Sequence, residues 1–266
     1  MVVETAFFEK IEHASVVDAV VNQIEGLIVA GVLKEGTRLP PERDMAQIMD
    51  VSRQKLREAL KQLENYGLIR VRHGEGTFVA PLTGTALSPA MLDLYSRHES
   101  AFMDYLEYRR EQEGFAASLA AERATTVDRE LLSSIMEQMK EAHGKGNLKL
   151  EQELDMRFHT GIVDASHNST LIHMMGSIYE LTRRGVFFNR DFLWSMPGTG
   201  QSLLEQHIEI GQSILDGDSE KARDAAHAHI DFVAKLSALG KTQEERERIA
   251  KKRTALLIEK LEGQDG

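Results

Sequence analysis

The chain contains ten histidines and no cysteine, so imidazole rather than thiolate is the metal-binding group it can offer. Disulfide scaffolds, thiolate zinc fingers, iron–sulfur clusters and cysteine nucleophiles are excluded together. At helical spacing, Asp155 and His159 lie four apart on a stripe with Phe158, Ile162 and Ala165. His207 shares a stripe with Leu203, Ile210 and Ile214, and His229 shares one with Ala222, Ala225, Ala226, Phe232, Val233 and Leu236. His227 falls on the other side with Arg223 and Asp231 and reads as a surface residue. One carboxylate and three neutral imidazoles from three helices would then face one interior. Such a shell suits a borderline divalent ion, zinc first and nickel or manganese also, with positions left open for water or a ligand carboxylate. Satisfied core histidines would show the same spacing, and the pattern alone leaves both readings open. A hydrolase at this centre would need a base beside the metal-bound water, and no inward Glu beside His159 is evident.

A second group of residues suits a different chemistry. In Ser52-Arg53-Gln54-Lys55-Leu56-Arg57, the two arginines share a helix face at i, i+4. An arginine can meet guanine O6 and N7 with two hydrogen bonds, and Gln54 or Lys55 can add base or phosphate contacts. Ser52 can cap the helix and offer its hydroxyl to a phosphate, and Arg43 projects from the preceding helix. From Ser52 to His73 there are six basic side chains against two acidic, on a chain whose net charge is −10. The overall charge argues against diffuse binding to nucleic acid or membranes, so this local patch is the exception. A solvated helix face could carry the same charges.

The elements around these residues are legible. Ser15-Val16-Val17-Asp18 reads as a capping box before Val17, Val20, Val21, Ile24, Leu27 and Ile28, with Gly31 closing the helix. In Leu39-Pro40-Pro41-Glu42-Arg43 a proline at the first helical position opens a short helix through about Met49. Val51-Ser52 caps a third, with Leu56, Ala59, Leu60 and Leu63 inside and Gly67 at its end. Two strands, Leu68 to Arg72 and Gly76 to Val79, flank the turn His73-Gly74-Glu75, placing Arg72 and His73 at a wing tip. This is the plan of a winged helix-turn-helix. Residues 81–89, rich in Pro, Gly, Ser and Thr, read as a linker. Beyond it the spacing predicts helices over 90–97, 99–124, 127–144, 148–166, 169–194, 200–216 and 219–239. The expected fold is mostly α: a winged helix-turn-helix domain (1–80), the linker (81–89), an all-α antiparallel bundle (90–240) and a charged helical tail (241–266). The acidic N-terminus lacks signal-peptide character and no apolar run approaches about 18 residues, so a cytoplasmic protein with no membrane partner is expected.

The order Leu39-Pro40-Pro41-Glu42-Arg43, Val51-Ser52-Arg53, Leu56-Arg57-Glu58-Ala59-Leu60, Gly67-Leu68 and Gly76-Thr77-Phe78-Val79 closely resembles the N-terminal domain of the GntR superfamily of bacterial transcription regulators. The resemblance implies DNA contacts at Arg43, Ser52, Arg53, Gln54, Lys55 and Arg57, and in the wing at His73 and Gly74. Further on, Tyr108-Arg109, Glu113-Gly114, Asp155 to His159, Ala165 to Asn168, Glu205-Gln206-His207 and Ala226 to Ile230 resemble the helical effector domain of the FadR branch. In its metal-containing members the positions matching Asp155, His159, His207 and His229 bind the ion. The resemblance extends to regulators responding to lactate, pyruvate or glycolate. It implies a homodimeric regulator, usually a repressor, on a pseudo-palindromic double-stranded operator. Arg109 matches an arginine facing the same cavity, where it could hold the carboxylate of a small effector; an intrahelical pair with Glu113 is the alternative. If Arg109 serves only the effector, its removal leaves fold and metal intact. A metal-dependent bundle enzyme and a regulator answering the metal alone are the competing functions.

Overall fold

Helix α1 (Val16–Val29) starts where the Ser15 hydroxyl accepts the Val17 N–H at 3.2 Å. The hydroxyl reaches that amide rather than Asp18's, so the expected reciprocal capping box is not formed. Val17, Val20, Val21, Ile24 and Ile28 bury one stripe of the helix, while Leu27 is only half-buried. The structure is a computed structural model and describes residues 15–82, 99–183 and 198–238. Within it the chain divides into two compact units, Met1–Thr85 and Ala86–Gly266.

In the first unit, α2 (Glu42–Ile48) follows Pro41, which stands at the cap with extended backbone. The proline therefore precedes the helix rather than opening it. Asp50, in the turn to α3, adopts φ +51°, a left-handed conformation that aspartate tolerates better than most residues. Helix α3 (Arg53–Asn65) is capped by Ser52, whose hydroxyl accepts the Lys55 N–H at 3.2 Å. Its inner face is Leu56, Ala59, Leu60 and Leu63, packed with the buried stripe of α1. Gly67, at φ +75°, supplies the left-handed residue that ends the helix. Strands β1 (Ile69–Arg72) and β2 (Gly76–Val79) pair antiparallel, with Ile69 opposite Val79 and Arg72 opposite Gly76. A third segment, not legible in the sequence, lies along β2. The Leu39 N–H donates to Thr77 O at 2.8 Å and the Val79 N–H to Thr37 O at 2.9 Å.

The second unit is a helical bundle of α4 (Glu99–Arg123), α5 (Thr126–Gly144), α6 (Leu148–Ala165), α7 (Ser169–Arg183), α8 (Thr199–Asp216) and α9 (219–238). Thr125 and Asp128 make a full capping box on α5, Asn147 caps α6, and Asn168 Oδ1 accepts the Leu171 N–H at the start of α7. Gly217 ends α8 at φ +76°. Along α4, Ala116, Ala117, Ala120 and Ala121 are buried, a run of small side chains that lets neighbouring helices approach. Leu132, Leu154, Phe158, Met175, Ile210 and Ile214 fill the space between the helices. Helix ends leave carbonyls without partners inside the helix. Arg129 gathers carbonyls at the ends of α4 and α8, donating to Ala124 O at 3.2 Å, Ile214 O at 2.8 Å, Leu215 O at 2.6 Å and Ala121 O at 3.3 Å. Arg129→Ala is therefore expected to cost about 2 kcal/mol, since charged donors are the strong ones but these carbonyls are partly open to water. Urea denaturation checks this, and a change below about 0.5 kcal/mol would show that water replaces the guanidinium without loss.

The segment 83–98, most of the expected linker and the 90–97 helix, lies outside the described residues, as do the end of the 169–194 helix and the charged tail.

Candidate metal centre and nucleic-acid interface

The N-terminal turn of α3 presents Arg53, Gln54, Lys55 and Arg57 to solvent, with Ser52 spent on the cap. Arg57 is not free. Its Nε donates to Glu42 Oε2 at 2.7 Å, tying α3 to α2, and this pairing raises the guanidinium pKa. Lys55 Nζ meets Glu58 Oε2 at 2.9 Å and Arg43 Nε meets Asp44 Oδ1 at 3.2 Å. Arg53 makes no ion pair among the described residues, which sets it apart from these three. In the wing, Arg72 stacks over the Phe78 ring at 4.7 Å, and exposed His73 and Gly74 form the turn, Gly74 at φ +78°. A base or phosphate contact by Arg53 needs no broken pair, whereas Arg57 must give up Glu42. Arg53→Ala is accordingly expected to weaken specific operator binding by about 1–3 kcal/mol, and Arg57→Ala by less. Gel shifts of the two variants on one operator decide it; equal losses would show that the Glu42 pair is not a cost.

In the bundle, α6 carries Asp155 and His159 one turn apart, α8 carries His207 and α9 carries His229, all four buried. Heptad-like apolar neighbours turn these positions inward: Phe158 and Ile162 on α6, Leu203 and Ile210 on α8, Ala226 and Ile230 on α9. One ring nitrogen from each histidine lies within 4.8 Å of the other two. His207 Nε2 is 3.2 Å from His159 Nε2 and 3.2 Å from Asp155 Oδ1, and Asp155 Oδ1 is 3.7 Å from His159 Nε2. The four residues read from helical spacing thus converge.

Two more side chains hold these rings from behind. Glu113, buried on α4, takes His159 Nδ1 at 2.9 Å with Oε2. Gln206 Oε1 lies 3.0 Å from His229 Nδ1. The sequence showed no inward Glu beside His159, and the structure corrects this: Glu113 sits there, on the same buried stripe as Ala116, Ala117 and Ala120. Its i, i+4 spacing from Arg109 suggested an intrahelical pair, and that pair exists as well. Arg109 Nε and Nη2 both reach Glu113 Oε1 at 2.6 Å, in the interior rather than at the surface. The guanidinium also lies 5.9 Å from the ring centroids of Tyr105 and Tyr179. The Tyr179 hydroxyl is buried with no hydrogen-bond partner among the described residues, and it lines a small cavity with Glu113, His159 and Ile210. His227 is corrected too. Its side chain is 16% exposed and packs against α4 at Gly114, where an added Cβ would overlap the imidazole. Helical spacing alone put it on the outer face because the neighbouring glycine leaves a notch that periodicity does not show.

The electrostatics favour a cation at this point. Burial would lower the His159 pKa, but the carboxylates of Glu113 and Asp155 outweigh it and raise the imidazole to about 9. Burial lowers His207, and burial with the two neighbouring rings holds His229 well below its usual value. For Glu113, burial pushes the carboxyl up, yet Arg109 and then His159 bring it well below the ordinary range. His159 thus favours its protonated form, and its Nε2 faces His207 Nε2 at 3.2 Å. Three imidazoles and a carboxylate around that point are a donor set that fits a divalent ion in place of the proton.

Comparison with known proteins agrees with this architecture. Residues 16–79 match the family described as bacterial regulatory proteins, gntR family, and residues 104–232 match the FCD domain. The chain is 31% identical over 229 residues to the Glc operon transcriptional activator of Escherichia coli K12, covering 85% of this chain and 90% of that protein. It is 30% identical over 208 residues to the HTH-type transcriptional regulator LutR of Bacillus subtilis, covering 78% and 94%. A solved Streptococcus agalactiae GntR structure aligns with a TM-score of 0.51 at 25% identity, over 83% of this chain and all of that one. With a helix-turn-helix unit that displays the α3 face and a helical unit that gathers buried histidines, this chain belongs to the gntR family of bacterial regulatory proteins, a DNA-binding transcriptional regulator with an FCD effector domain and not an enzyme.

Proposed function

We propose that this regulator senses a small organic acid through a divalent metal held by Asp155, His159, His207 and His229. Zinc suits the nitrogen-rich set best, and nickel or manganese could also be held. The observation that carries the reading is the meeting of three buried imidazoles from three helices around one point. A bound ion would supply a Lewis-acid site for a ligand carboxylate. Around that site, Arg109 would contribute charge, and the buried Tyr179 hydroxyl beside Glu113 would contribute a hydrogen-bond donor, since burial and then Glu113 keep it protonated. In the DNA-binding unit, residues 1–80, the operator contacts are assigned to Arg43, Ser52, Arg53, Gln54, Lys55 and Arg57, with His73 and Gly74 in the wing. Residues 90–240 form the effector domain in this scheme, joined by the linker 81–89. A cytoplasmic homodimer on a pseudo-palindromic operator would double the contacts of one helix-turn-helix. No helix among the described residues is long and apolar enough to cross a membrane. In this scheme the regulator represses, although one relative is named an activator; a reporter fused to the operator, with and without the regulator, decides between them.

A second reading, a regulator answering the metal alone, is favoured by one observation: Arg109 is already engaged by Glu113. Elemental analysis of the purified protein tests the metal, and calorimetric titration of the loaded protein with small mono- and dicarboxylates tests the ligand. Metal without carboxylate binding supports the second reading. Absence of metal, with none taken up on addition, removes both.

A further inference from the structure

The metal ligands account for one side of each ring, and the other side carries information too. His159 has both nitrogens engaged: Nε2 faces His207 Nε2 and Asp155 Oδ1, while Nδ1 faces Glu113 Oε2 at 2.9 Å. An imidazole that donates its Nδ1 proton to an acceptor is fixed in the tautomer whose Nε2 lone pair is free. Gln206 stands in the same relation to His229 Nδ1 at 3.0 Å. The two supports differ in charge. Glu113 is anionic, buried and bonded through its other oxygen to Arg109 at 2.6 Å. It therefore does more than aim a ring: it pushes electron density toward Nε2 and links the guanidinium to the ligand set in one chain of contacts.

We propose that Glu113 is the positioning carboxylate of the metal centre, fixing the tautomer and direction of His159 while tying Arg109 to the same histidine. This rests on the metal reading above and adds to it a residue that touches no ion. Partners of this kind orient ligating histidines and raise their basicity, and their loss typically weakens metal binding about 10–100-fold.

The test compares zinc affinity, by chelator competition at fixed pH, in the wild-type protein, Glu113→Gln and the double variant Arg109→Met/Glu113→Gln. The double variant guards against misfolding caused by a buried arginine stranded without its partner. Nitrogen-15 spectra of the His159 ring give a second readout that a merely packing role would not move. The proposal expects zinc affinity at least about tenfold weaker in both variants, with the His159 ring-nitrogen shifts displaced from those of the wild-type protein. Zinc affinity within twofold of wild type in the double variant would overturn it while leaving the metal site standing. If the wild-type protein takes up no zinc, the metal reading falls and this inference falls with it. Should Glu113→Gln alone fail to fold, the double variant still decides.

Discussion

His159→Ala/His229→Ala is expected to retain no stoichiometric divalent metal and to melt well below the wild-type protein. An ion bound only by the folded state stabilises it by RT ln(1 + [L]/Kd), about 2.7 kcal/mol when free metal is a hundred times Kd. Two of three imidazoles removed from a set whose nitrogens lie within 4.8 Å leave His207 and Asp155, too few donors for a closed shell. The comparison that gives the result meaning is the metal-free protein, because removing buried rings also creates cavities. The double variant should therefore melt below chelator-treated wild type by the cost of those cavities, and zinc should raise only the wild type. His227→Ala should keep the metal, and it should lose stability through the packing on Gly114 rather than through the ion. Full metal content in the double variant, measured by elemental analysis, would overturn the assignment.

The second large effect concerns Arg109. A residue serving only a ligand could be removed at little cost to the fold, which is what the sequence alone suggested. The structure requires a different outcome. Arg109 and Glu113 are both buried and in contact at 2.6 Å, so Arg109→Ala strands a carboxylate that would otherwise be held well below its usual pKa. Breaking a buried pair from one side costs about 3–5 kcal/mol. His159 also faces Glu113 and can take up part of the charge, which places the expected loss near about 3 kcal/mol, the lower end of that range. Arg109→Met/Glu113→Gln should recover much of this, because no unpaired charge remains. Urea denaturation of the three proteins without metal checks it, and a single variant as stable as wild type would mean that Arg109 contributes nothing to the fold.

Local rules made most of the architecture readable. Ser52 caps α3 because a short oxygen-bearing side chain satisfies one of the first amides, and that signal lies within four residues of sequence. The stripes through His159, His207 and His229 were legible for a similar reason: 3.6-residue periodicity fixes which positions share a face. What periodicity cannot supply is the depth of a face or what lies opposite it. Glu113 was missed beside His159 because the two are 46 positions apart and meet only through helix packing. His227 was misplaced because the hole that receives it is a missing side chain on another helix. Gln206 carried no signal at all, since a glutamine next to a histidine is ordinary. The segment Thr37 to Leu39 escaped notice for a comparable reason: its ladder bonds are backbone contacts set by β2, not by its own side chains.

The pairing of Arg57 with Glu42, Lys55 with Glu58 and Arg43 with Asp44 bears on how the protein searches a genome. Affinity for DNA of arbitrary sequence comes from cations that release condensed counterions when they meet phosphates. Cations that already hold an internal carboxylate must exchange one anion for another, so they yield less of this gain. The reading face is therefore weakly adhesive in spite of its basic residues, and the acidic remainder of the chain repels the polymer further. If this face contacts the operator as proposed, residence on random sites should be short, and discrimination should rest on the few contacts, Arg53 foremost, that need no exchange.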